Sequence, residues 1–175
     1  APITVKIETH FTRASVGGVG AAKTAGNYAA ALYPASLAQK EGYNQLIWTD
    51  GVSHEYIEES GTMNVAFLID GTLITAPTGD TILNGITRDS VLTLTRDWDI
   101  NVEERKLSIN DLMTAINSGS LQEAFGIGTA ATIAPIKSIG YDGSDYDLPS
   151  VDTWDLVPKL LKTLDDIKTG KVEDV

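Results

Sequence analysis

The sequence predicts a single α/β domain made of many short strands and a few helices. Short runs alternate apolar and polar side chains, as in residues 3–9, which is the period of a strand. Longer Ala- and Leu-rich stretches stop at glycines, the pattern of helices with C-terminal caps. The chain has 175 residues and shows no repeat, linker or low-complexity tract. That length is enough to bury one substantial core.

In chain order, Ile3, Val5 and Ile7 alternate with Thr4, Lys6 and Glu8 to give a first strand. Three glycines in residues 17–20 then favour a tight, irregular backbone. Residues 24–41 read as a helix closed by Gly42, with a kink or break expected at Pro34. Strands follow at 45–49, 56–59, 64–69 and 72–76, with Asp50-Gly51 and Asp70-Gly71 as turn signals. Residues 88–98 read as a helix with Thr87 as its N-cap, followed by a strand at 102–107. Ser108-Ile109-Asn110-Asp111 resembles a capping box opening a helix to Asn117, with Gly119 beyond it. Strands at 121–125 and 132–139 flank a Gly126-Ile127-Gly128-Thr129 loop. Residues 140–149 read as a polar loop, and 153–168 as a terminal amphipathic helix.

The net charge is −11, with 24 acidic against 13 basic residues and no basic patch or stripe. Nucleic acid is therefore not an expected partner. No apolar run is long enough for a membrane helix, and the N-terminus lacks a signal-peptide pattern. The chain has no cysteine and only His10 and His54. Disulfides, thiolate sites and a cysteine nucleophile are excluded, and no metal site is expected. The expected location is the cytoplasm, with chemistry carried by Lys, Glu, Tyr, Thr, backbone groups or an organic cofactor. The chain does not open with Met and begins at once with a strand pattern, so a segment of a longer protein is expected.

Four segments carry the chemistry. The first contains Gly17-Gly18-Val19-Gly20-Ala21-Ala22-Lys23-Thr24-Ala25-Gly26-Asn27-Tyr28. A lysine after a glycine-rich turn, among small residues, leaves room for a planar ligand. In a sheltered place its free amine could attack a carbonyl. The second is Glu59-Ser60-Gly61-Thr62-Met63-Asn64 and the third is Leu83-Asn84-Gly85-Ile86-Thr87-Arg88-Asp89-Ser90. A helix opening in the third segment offers unpaired N–H groups to a phosphate. The fourth runs Glu123-Ala124-Phe125-Gly126-Ile127-Gly128-Thr129-Ala130, ending in Pro135. Taken singly, these segments also read as a surface lysine, a solvated acidic pair, a capped helix and an ordinary loop.

Together, in this order, they resemble the motifs of branched-chain amino acid aminotransferases, class IV pyridoxal-phosphate enzymes of fold type IV. The resemblance implies a pseudo-barrel of short strands flanked by helices, the larger C-terminal domain of such enzymes. It implies pyridoxal 5'-phosphate as cofactor, with Lys23 as the Schiff-base lysine and proton shuttle. Tyr28 would bind the phenolate oxygen and Glu59 the pyridine nitrogen. Ile86 and Thr87 would bind the phosphate through backbone N–H groups, and Thr129 through its hydroxyl. Thr62 and the Ala130 N–H would meet the substrate carboxylate. The implied substrates are leucine, isoleucine or valine with 2-oxoglutarate, giving glutamate, in a homodimeric full-length enzyme. Asn84 replaces the family's usual proline, and Ala131 and Ala134 stand where some members carry a redox cysteine pair. The family's N-terminal domain, which supplies a phosphate-binding arginine, is not expected in residues 1–175. The isolated chain is accordingly expected to fold but to show little activity. A D-amino acid aminotransferase, an aminodeoxychorismate lyase and a non-catalytic domain that keeps the motifs remain alternatives.

Overall fold

Nine strands and four α-helices form the computed structural model, which describes residues 1–174. They run β1 (Ile3–Glu8), α1 (Ala25–Lys40), β2 (Gln45–Thr49), β3 (Ile57–Ser60), β4 (Met63–Ile69) and β5 (Thr72–Thr75). Then come α2 (Ile86–Asp97), β6 (Asn101–Glu104), α3 (Ile109–Ser118), β7 (Leu121–Gly128), β8 (Thr132–Tyr141), β9 (Ser144–Asp147) and α4 (Leu156–Lys168).

Six strands close on themselves in the order β1, β2, β3, β4, β7, β8 and back to β1. This is the expected pseudo-barrel, and closure leaves the ring without a free edge. β4 makes it possible by dividing one edge between two partners. Met63 and Asn64 pair with β3, while residues 66–69 pair with β5. β1 lies parallel to β2 through the α1 crossover, and β5 parallel to β6 through α2, because parallel neighbours need a long connection.

Alternation along the strands sorts the apolar side chains onto two faces. All six ring strands feed one cluster: Val5 and Ile7, Ile47, Ile57, Val65 and Phe67, Ala124, and Ile136 and Ile139. Helix α3 adds Ile109, Leu112 and Ala115 to it. The opposite face of β4 and β7, with Ala66, Leu68, Phe125 and Ile127, packs against α2 and α4. Leu46 and Trp48 on the outer face of β2 receive Ala38 of α1.

Several sequence expectations need correction. Pro34 does not break α1, which runs unbroken from Ala25 to Lys40. The α2 helix begins at Ile86 with Gly85 as N-cap, so Thr87 lies inside the first turn and is not the cap. Gly126 to Gly128 continue β7 instead of forming a loop, because both glycines lie under the Met63 side chain. The polar segment after Gly140 contains β9, joined to β8 by an Asp142-Gly143 turn with positive φ at both residues. β6 is shorter than expected, and α4 starts at Leu156, after a 3-10 turn at Val151–Thr153. Ser108 does cap α3, its hydroxyl accepting the Asp111 N–H at 3.0 Å.

Candidate active site

Four connections meet at one mouth of the barrel. The loop after β1 brings Arg13 and Lys23, and the end of β3 with the β3–β4 turn brings Glu59 and Thr62. The loop after β5 leads through Leu83 into α2, and the β7–β8 turn brings Thr129. Two adjoining hollows share Lys23, Glu59, Thr62 and Leu83, and so form one cleft. The larger part encloses about 240 Å³ and extends over Gly85, Ile86, Thr87 and Thr129. Tyr28 lines the smaller part.

Glu59 is the most enclosed of these groups, at 2 % exposure. Its Oε1 accepts the Leu83 N–H at 2.8 Å and the Asn64 side-chain amide at 3.4 Å. Its Oε2 lies 3.2 Å from an Arg13 guanidinium nitrogen. Burial pushes its pKa up to about 7, against the opposing pull of Arg13 and the Leu83 N–H. The carboxyl is therefore balanced between its two forms near neutral pH. A cationic ring nitrogen would tip it to the carboxylate.

The start of α2 supplies the opposite electrostatic sign. Asp89 is the first residue whose N–H is taken up, by the Gly85 carbonyl at 3.0 Å. Among the described residues the N–H groups of Ile86, Thr87 and Arg88 have no acceptor, and Gly85 has no side chain to cap them. These donors and the helix dipole suit an anion. A Cβ at Gly85 would stand 2.4 Å from Asn64 Oδ1, so Asn64, held by its bonds to Leu83 and Glu59, would have to shift. Arg88 anchors the helix from below, donating to the Ala76 carbonyl at 2.9 Å and to Glu104 at 2.8 Å. Arg88 itself borders the larger part of the cleft, while its guanidinium is spent on these two contacts.

Lys23 and Tyr28 stand at the rim, both exposed. The shelter expected around the lysine is not present in this chain, where Lys23 is exposed at the edge of a cleft it shares with Arg13, Tyr28, Glu59 and Leu83. Among the described residues Lys23 makes no hydrogen bond or ion pair. Thr62 and Thr129 line the cleft with exposed side chains. Ala130 does not line it; it lies exposed in the β7–β8 turn. Seven of the eight expected site residues thus border one cleft: Lys23, Tyr28, Glu59, Thr62, Ile86, Thr87 and Thr129.

Sequence reasoning gave no role to Arg13, Asn64 or Leu83, which hold the Glu59 carboxyl. Asn64 closes the second segment and Leu83 opens the third, whereas Arg13 lies four residues ahead of the first. The missing signal was spatial, because Leu83 reaches Glu59 across 24 positions of sequence. Glu123, quoted without a role, is buried and accepts the N–H groups of Asp155, Leu156 and Val157 at 2.8, 2.7 and 2.8 Å. It caps α4 from β7. Among the described residues no group of three or more His, Asp or Glu side chains is placed to hold a metal ion, and no helix is long and apolar enough to cross a membrane.

Comparison with known proteins agrees with this arrangement. The family model for amino-transferase class IV matches residues 6–139. The chain is 40% identical over 173 residues to branched-chain-amino-acid aminotransferase 2 of Bacillus subtilis, covering 99% of the chain and 48% of that protein. Among solved structures, it is similar to the branched-chain amino acid aminotransferase from Escherichia coli, with a TM-score of 0.82 and 30% identity over 99% of this chain and 55% of that one. A branched-chain aminotransferase from Thermoproteus uzoniensis, solved with norvaline, gives a TM-score of 0.82 at 28% identity, over 98% and 53% of the two chains. The chain spans about half the length of the curated relatives it matches.

Proposed function

The chain belongs to the class IV amino-transferase family, and from that premise we propose that it carries the pyridoxal-phosphate site of a branched-chain aminotransferase. The parent reaction would exchange the amino group of leucine, isoleucine or valine with 2-oxoglutarate. In this reading residues 1–175 form the C-terminal, cofactor-bearing domain of a cytoplasmic, homodimeric enzyme. The names of the relatives support the substrate class. The observation that carries the reading is the convergence of an amine, a buried carboxyl and an uncapped helix start on one cleft.

The donor set fits the cofactor. A phosphate needs N–H groups without competing acceptors, and the first turn of α2 presents three of them. A pyridine nitrogen needs a carboxylate kept from water, and Glu59 is enclosed and held at both oxygens. An aldehyde needs a primary amine beside both, and Lys23 lines both parts of the cleft. When bound, pyridoxal phosphate supplies a carbonyl for amine exchange and a ring that takes up the electron pair left at the substrate Cα.

Each residue then has one task. Glu59 in its carboxylate form holds a proton on the ring nitrogen, which strengthens the ring as an electron acceptor. Lys23 Nζ would hold the aldehyde carbon and, as a free amine, would move the proton at the substrate Cα. Ile86 and Thr87 bind the phosphate through N–H groups, and Thr129 through its hydroxyl. Tyr28 donates to the ring oxygen, and Thr62 borders the place of the substrate. Ala130 is not among the lining residues, and its place by the substrate carboxylate rests on the family resemblance alone.

A single-turnover test decides the reading. Pyridoxal phosphate is added to the full-length parent enzyme, and the change in its visible absorption is followed on adding L-leucine or D-alanine. We expect binding that Lys23→Ala abolishes, followed by conversion with L-leucine only. Conversion with D-alanine instead, or binding indifferent to Lys23, would reject it.

A further inference from the structure

Arg13 is an arginine where charge is unwelcome, its side chain only 9 % exposed. Its terminal nitrogen donates to the Gly20 carbonyl at 3.3 Å and to the Thr81 carbonyl, and lies 3.2 Å from Glu59 Oε2. Thr81 is a junction, since its hydroxyl donates to Glu58 Oε1 at 2.6 Å while its carbonyl receives Arg13. Two residues on, the Leu83 N–H returns to Glu59 Oε1 at 2.8 Å. Glu59, Arg13, Thr81 and Leu83 therefore form a closed circuit, and two residues past it stands Gly85, the N-cap of α2. Asn64 closes a second link, donating to the Leu83 carbonyl at 2.8 Å. The lysine loop is tied in as well, through Gly20 and through the Ala21 N–H donated to the Asp80 carbonyl at 2.9 Å.

We propose that Arg13 is a positioning residue: with Thr81 it locks the Glu59 carboxyl to the 81–85 loop, so that the ring-nitrogen acid and the phosphate-binding helix start move as one body. A cofactor gripped at both ends needs a fixed separation between the two grips, and small displacements are costly. A guanidinium suits the task because its charge is fixed and weakly hydrated, so it can sit buried beside a carboxyl, and here one terminal nitrogen meets Gly20, Thr81 and Glu59. The consequence for the cofactor rests on the pyridoxal-phosphate reading; the circuit itself does not.

The charged groups facing Glu59 are Arg13 from the loop after β1, Glu58 beside it on β3, and Lys23 in the same cleft. Carboxyl-labelled NMR titration of the 175-residue chain without cofactor reads Glu59 directly. In Arg13→Gln its midpoint should rise by about one pH unit or more, because an opposite charge is lost. The amide signals of residues 83–87 should shift with it. Unfolding would instead drop the midpoint toward the free-carboxyl value, so the two outcomes differ in sign. Should that variant unfold, Arg13→Lys carries the test. It keeps the charge, so the midpoint stays near that of the parent, but the 83–87 amides move and pyridoxal-phosphate affinity falls about tenfold for one lost charged hydrogen bond. Unmoved 83–87 amides in the folded variant overturn the proposal. If the parent itself fails to bind pyridoxal phosphate, the cofactor reading fails, and the amide shifts still decide the role of Arg13.

Discussion

Glu59 shows how a single residue can record both the fold and the chemistry. Its pKa in the folded chain is about 7, against 4.5 for an ordinary glutamate. The folded state therefore holds the proton more tightly, and this contribution to stability is complete below 4.5. It is lost as pH rises through that window and levels off above about 7. Glu59→Gln removes the titration, so relative to the parent it should gain about 3 kcal/mol on going from acid to mildly alkaline pH. Urea unfolding of both proteins at the two ends of the window checks this. An unchanged difference would mean that the carboxyl is not held as described. At this scale the sequence revealed which residue types mattered but not what keeps them in place. The pairing of Glu59 with a Gly-Thr-Met-Asn turn was legible, whereas its contacts with Arg13 and Leu83 depend on loops meeting in space.

Among the elements, α2 ties structure most directly to ligand. Its first turn was legible as an anion site from the Gly85-Ile86-Thr87 segment, although Thr87 was misassigned as the cap. Local pattern favours a threonine there, while the close approach of Asn64 leaves little room for a side chain at Gly85. Gly85→Ala should push the helix start away from Asn64 and weaken binding of pyridoxal phosphate about tenfold. Its effect on unfolding should be about 1–3 kcal/mol, the range for overpacking a tight site. Equilibrium titration beside thermal melts separates the two. Ser108→Ala removes the cap of α3 far from the cleft and should cost about 1 kcal/mol with cofactor binding unchanged. β9 shows where reading by element fell short. Asp142-Gly143 is the same two-residue turn as Asp70-Gly71, with positive φ at each position. The strand after it, Ser-Asp-Tyr-Asp, is polar and exposed on most positions, so no apolar alternation announced it.

On the scale of the whole molecule, closure of the barrel is what brings distant motifs together. Alternation foretold most of the strands, and the family resemblance foretold the pseudo-barrel. No local pattern could show that β4 divides its edge between β3 and β5, since that depends on the register of three strands at once. Yet this division places Glu59 opposite Asn64 and beside the loop that opens α2. The exposed Lys23 belongs to the same scale, because a rim position follows from the loop that crosses the barrel mouth. The central claim is that this mouth gathers a cofactor around Lys23. Borohydride reduction of the chain with pyridoxal phosphate, followed by peptide mapping, tests it most directly. The account requires the label on Lys23 alone, lost in Lys23→Ala and weakened in Gly85→Ala. A label spread over surface lysines, or fixed on any lysine other than Lys23, would contradict it.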